Sequence, residues 1–172
     1  GLKEIDLSNV TFIGEMAFQD CTDLEKVTFG SMPTVIEANA FNGGSNAECV
    51  FNGPVIMDIN SKYCFAKTNL KELPEVNGII PAYAFSESHI ENFVYPSNSD
   101  TSAFYNFKFD NIIIPEGNSA IYKDGILYGS SVQYQINGDT VDFNEGKLRV
   151  ISVINKELIP ENLVIPDEVA EL

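Results

Sequence analysis

A six-residue pattern of one apolar, two polar, one apolar, one polar and one apolar residue recurs along the first part of this chain. It is clearest at Leu24 to Phe29, which reads LEKVTF. The steps between successive copies are 22, 23, 23, 20 and 19 residues, and the copies begin at Leu2, Leu24, Ala47, Leu70, Ile90 and Phe109. Such a repeat predicts a solenoid, because one unit is too small to bury its own apolar face and must stack on its neighbours.

A second marker, a small or apolar residue followed by Phe, precedes five of these copies. The pairs are Ala17-Phe18, Ala40-Phe41, Cys64-Phe65, Ala84-Phe85 and Ala103-Phe104, with an upstream Ile at Ile13, Ile36, Ile59 and Ile80. The six-residue pattern predicts a short β-strand, and the Phe pair predicts a turn of helix or irregular coil packed behind it. We therefore expect a β-rich, α/β-type repeat solenoid with parallel strands on the concave side of an arc.

The best copy of the whole unit is Ile13 to Phe29, which reads IGEMAFQDCTDLEKVTF. It resembles the unit IxxxAFxxCxxLxxVxF of bacterial-surface leucine-rich repeats of the BspA or treponemal type. The resemblance covers roughly residues 2 to 115. It implies a leucine-rich-repeat arc in a bacterial extracellular or cell-surface protein, with adhesion to host matrix proteins or to other cells as the associated activity.

The period is lost after Pro115, where turn signals separate β-prone runs. These signals are Lys123-Asp124-Gly125, Asn137-Gly138-Asp139 and Asn144-Glu145-Gly146. They predict antiparallel hairpins, since Asp-Gly and Asn-Gly supply the positive φ that tight hairpin turns require. The stretch Tyr122 to Tyr128 also resembles a DGxLY hairpin that is often inserted in this family.

The repeat is expected to resume near the end of the chain, because NLVIP at Asn162 to Pro166 copies NIIIP at Asn111 to Pro115. We predict a single leucine-rich-repeat domain over residues 1 to 172, as a fragment of a longer array. Its repeats span 1 to 115, a β-hairpin insertion spans about 116 to 161, and the repeat resumes over 162 to 172.

Charge argues against several classes of partner. Ten Lys and Arg residues against twenty-five Asp and Glu residues leave a formal net charge of −15, which repels nucleic acids and anionic lipid surfaces. No apolar run approaches the length of a membrane span. We therefore expect neither nucleic-acid binding nor direct membrane insertion.

Few residues are candidates for a disulfide, a catalytic role or a metal site. We expect Cys21 to be an inert buried thiol, and we leave open a disulfide between Cys49 and Cys64. The single histidine, His89, is interpreted as a solvated loop residue. The acidic residues Asp139, Asp142 and Glu145 are interpreted as a solvated loop rather than a calcium site. The sequence therefore predicts no catalytic residue, no metal site and no cofactor.

The outward positions of the strands are more informative, because equivalent positions align as columns across a parallel repeat sheet. One column is charged and consists of Lys3, Glu25, Glu48, Lys71, Glu91 and Asp110. Another turns apolar along the chain and consists of Asp6, Thr28, Phe51, Pro74, Val94, Ile113 and, in the resumed repeat, Val164. Our hypothesis is a partner-binding face formed by Phe51, Val94 and Ile113 and flanked by Glu91, Asn92 and Asn111. The alternative is that the predicted insertion covers this stripe.

Together these features favour a non-enzymatic cell-surface or secreted binding or adhesion module that recognises a host or bacterial surface protein or a glycan. A structural spacer in a surface protein is the first alternative. A glycan hydrolase is the second, and it would require two carboxylates at a defined separation. The sequence predicts no oligomeric state.

Overall fold

The computed structural model describes residues 1–44, 47–100, 102–116, 120–130, 134–136, 139–141, 148–153 and 156–163. In chain order the strands are β1 (Glu4–Leu7), β2 (Phe12–Ile13), β3 (Lys26–Phe29), β4 (Thr34–Ile36), β5 (Glu48–Val50), β6 (Val55–Met57), β7 (Asn69–Glu72), β8 (Val76–Gly78), β9 (His89–Val94), β10 (Lys108–Ile113), β11 (Ala120–Lys123), β12 (Ile126–Ser130), β13 (Tyr134–Ile136), β14 (Asp139–Val141) and β15 (Leu148–Val153). Within these ranges the only helix is a 3₁₀ turn, Lys156–Leu158. The fold is a β-rich, parallel-strand solenoid of about five turns with almost no helix.

The strands of the repeats form parallel sheets along two sides of the solenoid. On one side β1, β3 and β5 form a three-stranded sheet, and β7, β9 and β10 form another. On the other side β2, β4, β6 and β8 form a four-stranded sheet that the sequence pattern did not predict. The pairing is parallel throughout these three sheets, because each turn of the chain travels in the same direction as the one before.

The segments between the two sides are irregular turns, so the α/β label expected from the sequence is not confirmed. Most of these turns contain backbone positions with positive φ, which a helix does not tolerate. Such positions stand directly before the small residue of the Phe pair at Met16, Asn39, Tyr63 and Tyr83, and two residues after the Phe at Asp20, Gly43, Lys67, Glu87 and Asn106. This left-handed geometry bends the chain tightly around the aromatic ring and prevents a helix from forming.

The core is a column of stacked phenylalanine rings from the Phe pairs. The centroids of Phe41 and Phe65 lie 5.4 Å apart, and those of Phe65 and Phe85 lie 5.5 Å apart, with nearly parallel planes. Phe18 extends the stack at one end and Phe104 at the other. Since equivalent rings of successive turns meet face to face, the spacing of the Phe pairs in the sequence sets the stacking of the turns.

One of the recurring isoleucines does not belong to this core. Ile59 is 73% exposed, whereas Ile13, Ile36 and Ile80 are buried. In the four-stranded sheet Val35 pairs with Ile56, and continuing that register places buried Met57 beside Ile36. The inward residue of that turn is therefore Met57, two positions before the recurring Ile.

Antiparallel strands follow the last parallel strand. β11 and β12 pair around a two-residue loop, Asp124 and Gly125, whose φ angles are 52° and 78°. Leu127 is fully buried in the main core, and the Tyr122 ring packs edge-to-face against Phe109 at a centroid distance of 5.2 Å. These two strands therefore cover the end of the solenoid core next to β10.

Some expectations fall wholly or partly outside the described residues. These are the turns at 137–138 and 144–146, the acidic residues Asp142 and Glu145, and most of the resumed repeat, residues 164–172. That the antiparallel strands are an insertion between repeats therefore stays a prediction, as does the placement of the parallel strands on a concave side. In the described part of the chain, no helix is long and apolar enough to cross a membrane.

Candidate functional site

The outward side chains of β9 and β10 form the most distinctive exposed face of the parallel sheets. In the β9 turn Ile90, Phe93 and Tyr95 are buried, while Glu91, Asn92 and Val94 are exposed. This follows from the repeat pattern, in which the three apolar positions point into the core and the residues between them point outward. The outward residues of neighbouring strands then align by the parallel pairing.

That pairing brings five of the six residues of the hypothesised site together. Ile113 pairs with Val94, and these two side chains remain 58% and 43% exposed. Asn111 pairs with Asn92, and its side-chain amide Nδ2 donates a hydrogen bond of 3.1 Å to the side-chain oxygen Oδ1 of Asn92. Glu91 lies one residue before Asn92 on the same exposed face.

The sixth residue, Phe51, does not belong to that face. The pairing places Cys49 beside Val27 and Val50 beside Thr28, so Phe51 follows in the inward position of Phe29. Its ring stacks on Phe29 at a centroid distance of 4.7 Å and is half-buried against the core. Its assignment to the outward column was wrong, because this copy is one residue shorter between its first two inward positions.

The alternative in which the predicted insertion covers the apolar stripe is not what the structure shows for Val94 and Ile113. The described residues of β11 and β12 pack on the end of the core, through Leu127 and Tyr122. Both aliphatic side chains of the stripe keep the exposed fractions given above. A partner could therefore reach them.

The charged column is arranged as pairs between neighbouring turns. Lys3 donates to Glu25, and Lys71 donates to Glu48. Hydrogen bonding to Lys71 holds the pKa of Glu48 below its usual range, and the same bond raises the pKa of Lys71. Further along, His89 Nε2 lies 3.0 Å from Asp110 Oδ1. These pairs are exposed, so they align neighbouring turns more than they stabilise the fold.

Two of the shallow pockets on this face are lined in part by His89. The first has a volume of about 170 Å³ and is lined by residues that include Glu48, Asn69, Lys71, His89 and Glu91. The second, of about 470 Å³, lies where β10 meets the hairpin and is lined by His89, Lys108, Phe109, Asp110, Ile112, Tyr122 and Leu158. Sequence reasoning missed Asn69, Lys108, Tyr122 and Leu158. Extending the column alignment one residue before each strand motif would have found Asn69 and Lys108.

The repeat is also recognised by comparison with known families. The family described as BspA type Leucine rich repeat region matches the chain in six copies, over residues 1–101, 58–137 and 78–165. The chain belongs to this family. No match was found among curated proteins or among solved structures.

The cysteines of this BspA-type repeat are free thiols, so Cys49 and Cys64 do not pair in the structure. Burial raises the pKa of Cys49 to about 12 and also raises the pKa of Cys64. Both therefore stay protonated near neutral pH and pack as small apolar residues. Cys21, in the Cys slot of the family's unit, is half-buried against the core. Among the described residues no three His, Cys, Asp or Glu side chains form a group suited to a metal ion.

Proposed function

We propose that this BspA-type repeat is a non-enzymatic binding or adhesion module, displayed at a bacterial cell surface or secreted. Members of the family are commonly surface adhesion or binding repeats and are often surface-associated, which supports the proposal. The partner is a host or bacterial surface protein or a glycan. It contacts the outward face of β7, β9 and β10.

The observation that carries the proposal is the exposed pair Val94 and Ile113 beside the amide pair Asn92 and Asn111. The pairing places these two aliphatic side chains side by side, and a contiguous exposed apolar patch with polar neighbours marks an interaction site. The adjacent amides each keep a donor or acceptor group for a partner. An apolar centre with a polar rim is the composition of protein binding sites.

The test compares two double variants with equal changes of charge. Val94→Asp with Ile113→Asp places two carboxylates in the proposed face, while Ile59→Asp with Ile79→Asp alters exposed residues on the four-stranded sheet side. Binding is measured on wells coated with extracellular-matrix extract and on glycan arrays. We expect the first variant to lose at least about tenfold in affinity and the second to bind like the unchanged protein.

Circular dichroism and urea unfolding accompany both variants, because a folding defect would imitate a loss of binding. All four positions are exposed, but Val94 and Ile113 are cross-strand partners, so two carboxylates there repel each other. We expect a loss of about 1 to 2 kcal/mol in that variant, which leaves it folded, and a change of about 0.5 kcal/mol in the control. Equal binding by both double variants would contradict the proposed face. Absence of any captured partner, with the fold intact, would favour the spacer alternative instead.

A further inference from the structure

The larger pocket, at the junction of β10 with the hairpin, is lined by residues of the repeat and by residues that follow it in the chain. Four lining residues are apolar or aromatic, and we call them the apolar wall: Phe109 and Ile112 of β10, Tyr122 of β11 and Leu158 of the 3₁₀ turn. The other three, which we call the polar wall, are His89, Lys108 and Asp110 of the paired strands β9 and β10. The pocket therefore offers apolar contacts and hydrogen-bonding groups together.

We propose that this pocket binds one neutral pyranose unit of a glycan. The inference rests on the proposed binding function and narrows the partner to a glycan at this end of the face. A volume of about 470 Å³ lies within the range of small-ligand sites. It fits a sugar ring rather than the extended surface of a folded protein.

The polar wall offers donors and acceptors side by side. Asp110 uses Oδ1 towards His89, which leaves Oδ2 as an acceptor. The Lys108 ammonium forms no ion pair with any carboxylate in the described part of the chain. Vicinal hydroxyl groups of a pyranose both donate and accept, so one hydroxyl donates to Asp110 while its neighbour accepts from Lys108.

The apolar wall suits the other side of such a ring. Tyr122 packs edge-to-face on Phe109, and together these two rings provide an aromatic surface within the pocket. The carbon-bound hydrogens of a pyranose carry slight positive charge, and the faces of aromatic rings carry slight negative charge. Contact with this surface would orient the sugar so that its hydroxyl groups meet the polar wall.

The charges on this face favour a neutral sugar over its ionised relatives. The chain has a formal net charge of −15, and Glu91 and Asp110 lie on the same face, so a carboxylated or sulfated sugar meets an unfavourable field. A cationic ligand meets Lys108 in the pocket itself. A neutral ligand with many hydroxyl groups avoids both repulsions.

The experiment is a titration of the ¹⁵N-labelled protein, followed by NMR, with a panel of neutral methyl glycosides of glucose, galactose, mannose, fucose and N-acetylglucosamine. Glucuronate serves as the anionic counterpart. We expect at least one neutral glycoside to shift the amide signals of Lys108, Asp110 and Tyr122, with a dissociation constant on the order of 1 mM. Glucuronate should bind more weakly than the corresponding neutral glucoside.

Two variants test the polar wall without touching the core. Lys108→Met and Asp110→Asn should each raise the dissociation constant about tenfold, since the first removes a charged donor and the second replaces a charged acceptor with a weaker neutral one. Lys26→Met is the matched control, because Lys26 is likewise an exposed lysine that opens a strand of a parallel sheet. It should leave sugar binding unchanged.

Three results would overturn the inference. These are no shift with any neutral glycoside, glucuronate binding as tightly as glucoside, or unchanged affinity in both Lys108→Met and Asp110→Asn. Selective loss of matrix capture in the Val94→Asp with Ile113→Asp variant, together with any of these results, would reject only the sugar pocket. If that variant instead captures matrix as well as the Ile59→Asp with Ile79→Asp variant does, the same results would reject the proposed binding face as well.

Discussion

The inward and outward positions of the same turns follow opposite rules. At the inward Phe position, five successive turns carry the same residue type, and neighbouring rings stack with centroids between 5.1 and 5.5 Å. At one outward position the type changes from Lys71 to Glu91 to Asp110. Each inward ring must fit the rings above and below it, while an outward side chain meets mainly water. The inward residues therefore specify the fold, and the outward residues can vary to suit a binding partner.

The largest expected effect comes from removing one ring of the inward column. Phe65→Ala leaves a cavity between Phe41 and Phe85, and we expect it to lower the free energy of unfolding by about 3 to 5 kcal/mol. Phe12→Ala makes the same chemical change at a residue that is 58% exposed, and it should change stability by about 0.5 kcal/mol. Urea unfolding followed by circular dichroism measures both.

Similar losses of stability in the two Phe variants would contradict a larger contribution from the inward positions. A loss in Phe65→Ala that is confined to part of the chain would show that each ring stabilises mainly its neighbouring turns. Solenoids unfold by nearest-neighbour units, so hydrogen exchange should show the turns around Phe65 opening first.

The second effect concerns backbone contact between turns. A Cβ atom added at Gly30 would lie 2.0 Å from the carbonyl oxygen of Ser8, while one added at Gly14 would lie 3.7 Å from its nearest neighbour, the Phe12 ring. We expect Gly30→Ala to destabilise the protein by about 1 to 3 kcal/mol, since the backbone must shift. Gly14→Ala should instead be neutral or stabilise by up to about 1 kcal/mol.

Thermal unfolding of the two glycine variants under identical conditions provides the measurement. We expect the unfolding midpoint to fall in Gly30→Ala and to stay equal or rise in Gly14→Ala. Equal midpoints for Gly30→Ala and the unchanged protein would mean that adjacent turns separate easily, which the close packing of the ring column does not predict.

The smallest effect belongs to the outward pair Glu48 and Lys71. The folded-state pKa of Glu48 is lowered, so its contribution to stability is present above its unfolded pKa and is lost as pH falls through the folded value. The pKa of Lys71 is raised, so its contribution is present below its unfolded pKa and is lost as pH rises through the folded value. Both groups are fully exposed, so the change is small.

Stability curves against pH for Lys71→Gln check this pair, with Lys62→Gln as a control at another exposed lysine. We expect the acid-side slope below about pH 5 to become shallower only in Lys71→Gln, and to a lesser extent at high salt. An identical acid-side slope in the two variants would show that the pair contributes nothing to stability.

The spacing of the Phe pairs was sufficient to predict the stacking of the turns, because Phe rings one turn apart can pack against each other. The local patterns were less informative. Phe51 was placed on the wrong face since its copy is one residue shorter, and a shift of one residue in a strand reverses the direction of the side chain. The recurring Ile does not mark the inward residue in every turn, because Met57 occupies that position in the turn that carries Ile59.

The candidate site was predicted in part. The residues Val94 and Ile113, with their polar neighbours, could be aligned from the repeat alone, because both strands keep the full spacing of the pattern. The pocket at Lys108 and Tyr122 could not, since it requires a hairpin outside the repeat to fold against the last parallel strand.

The periodic apolar residues were enough to predict a stacked, parallel-strand repeat, because they can be buried only by neighbours with the same period. The register of the irregular copy at Phe51, the left-handed backbone geometry of the turns and the packing of the hairpin against β10 required the folded structure. These features depend on contacts between residues far apart in the chain. Their free energy is shared between neighbouring turns and is not contained in any one repeat.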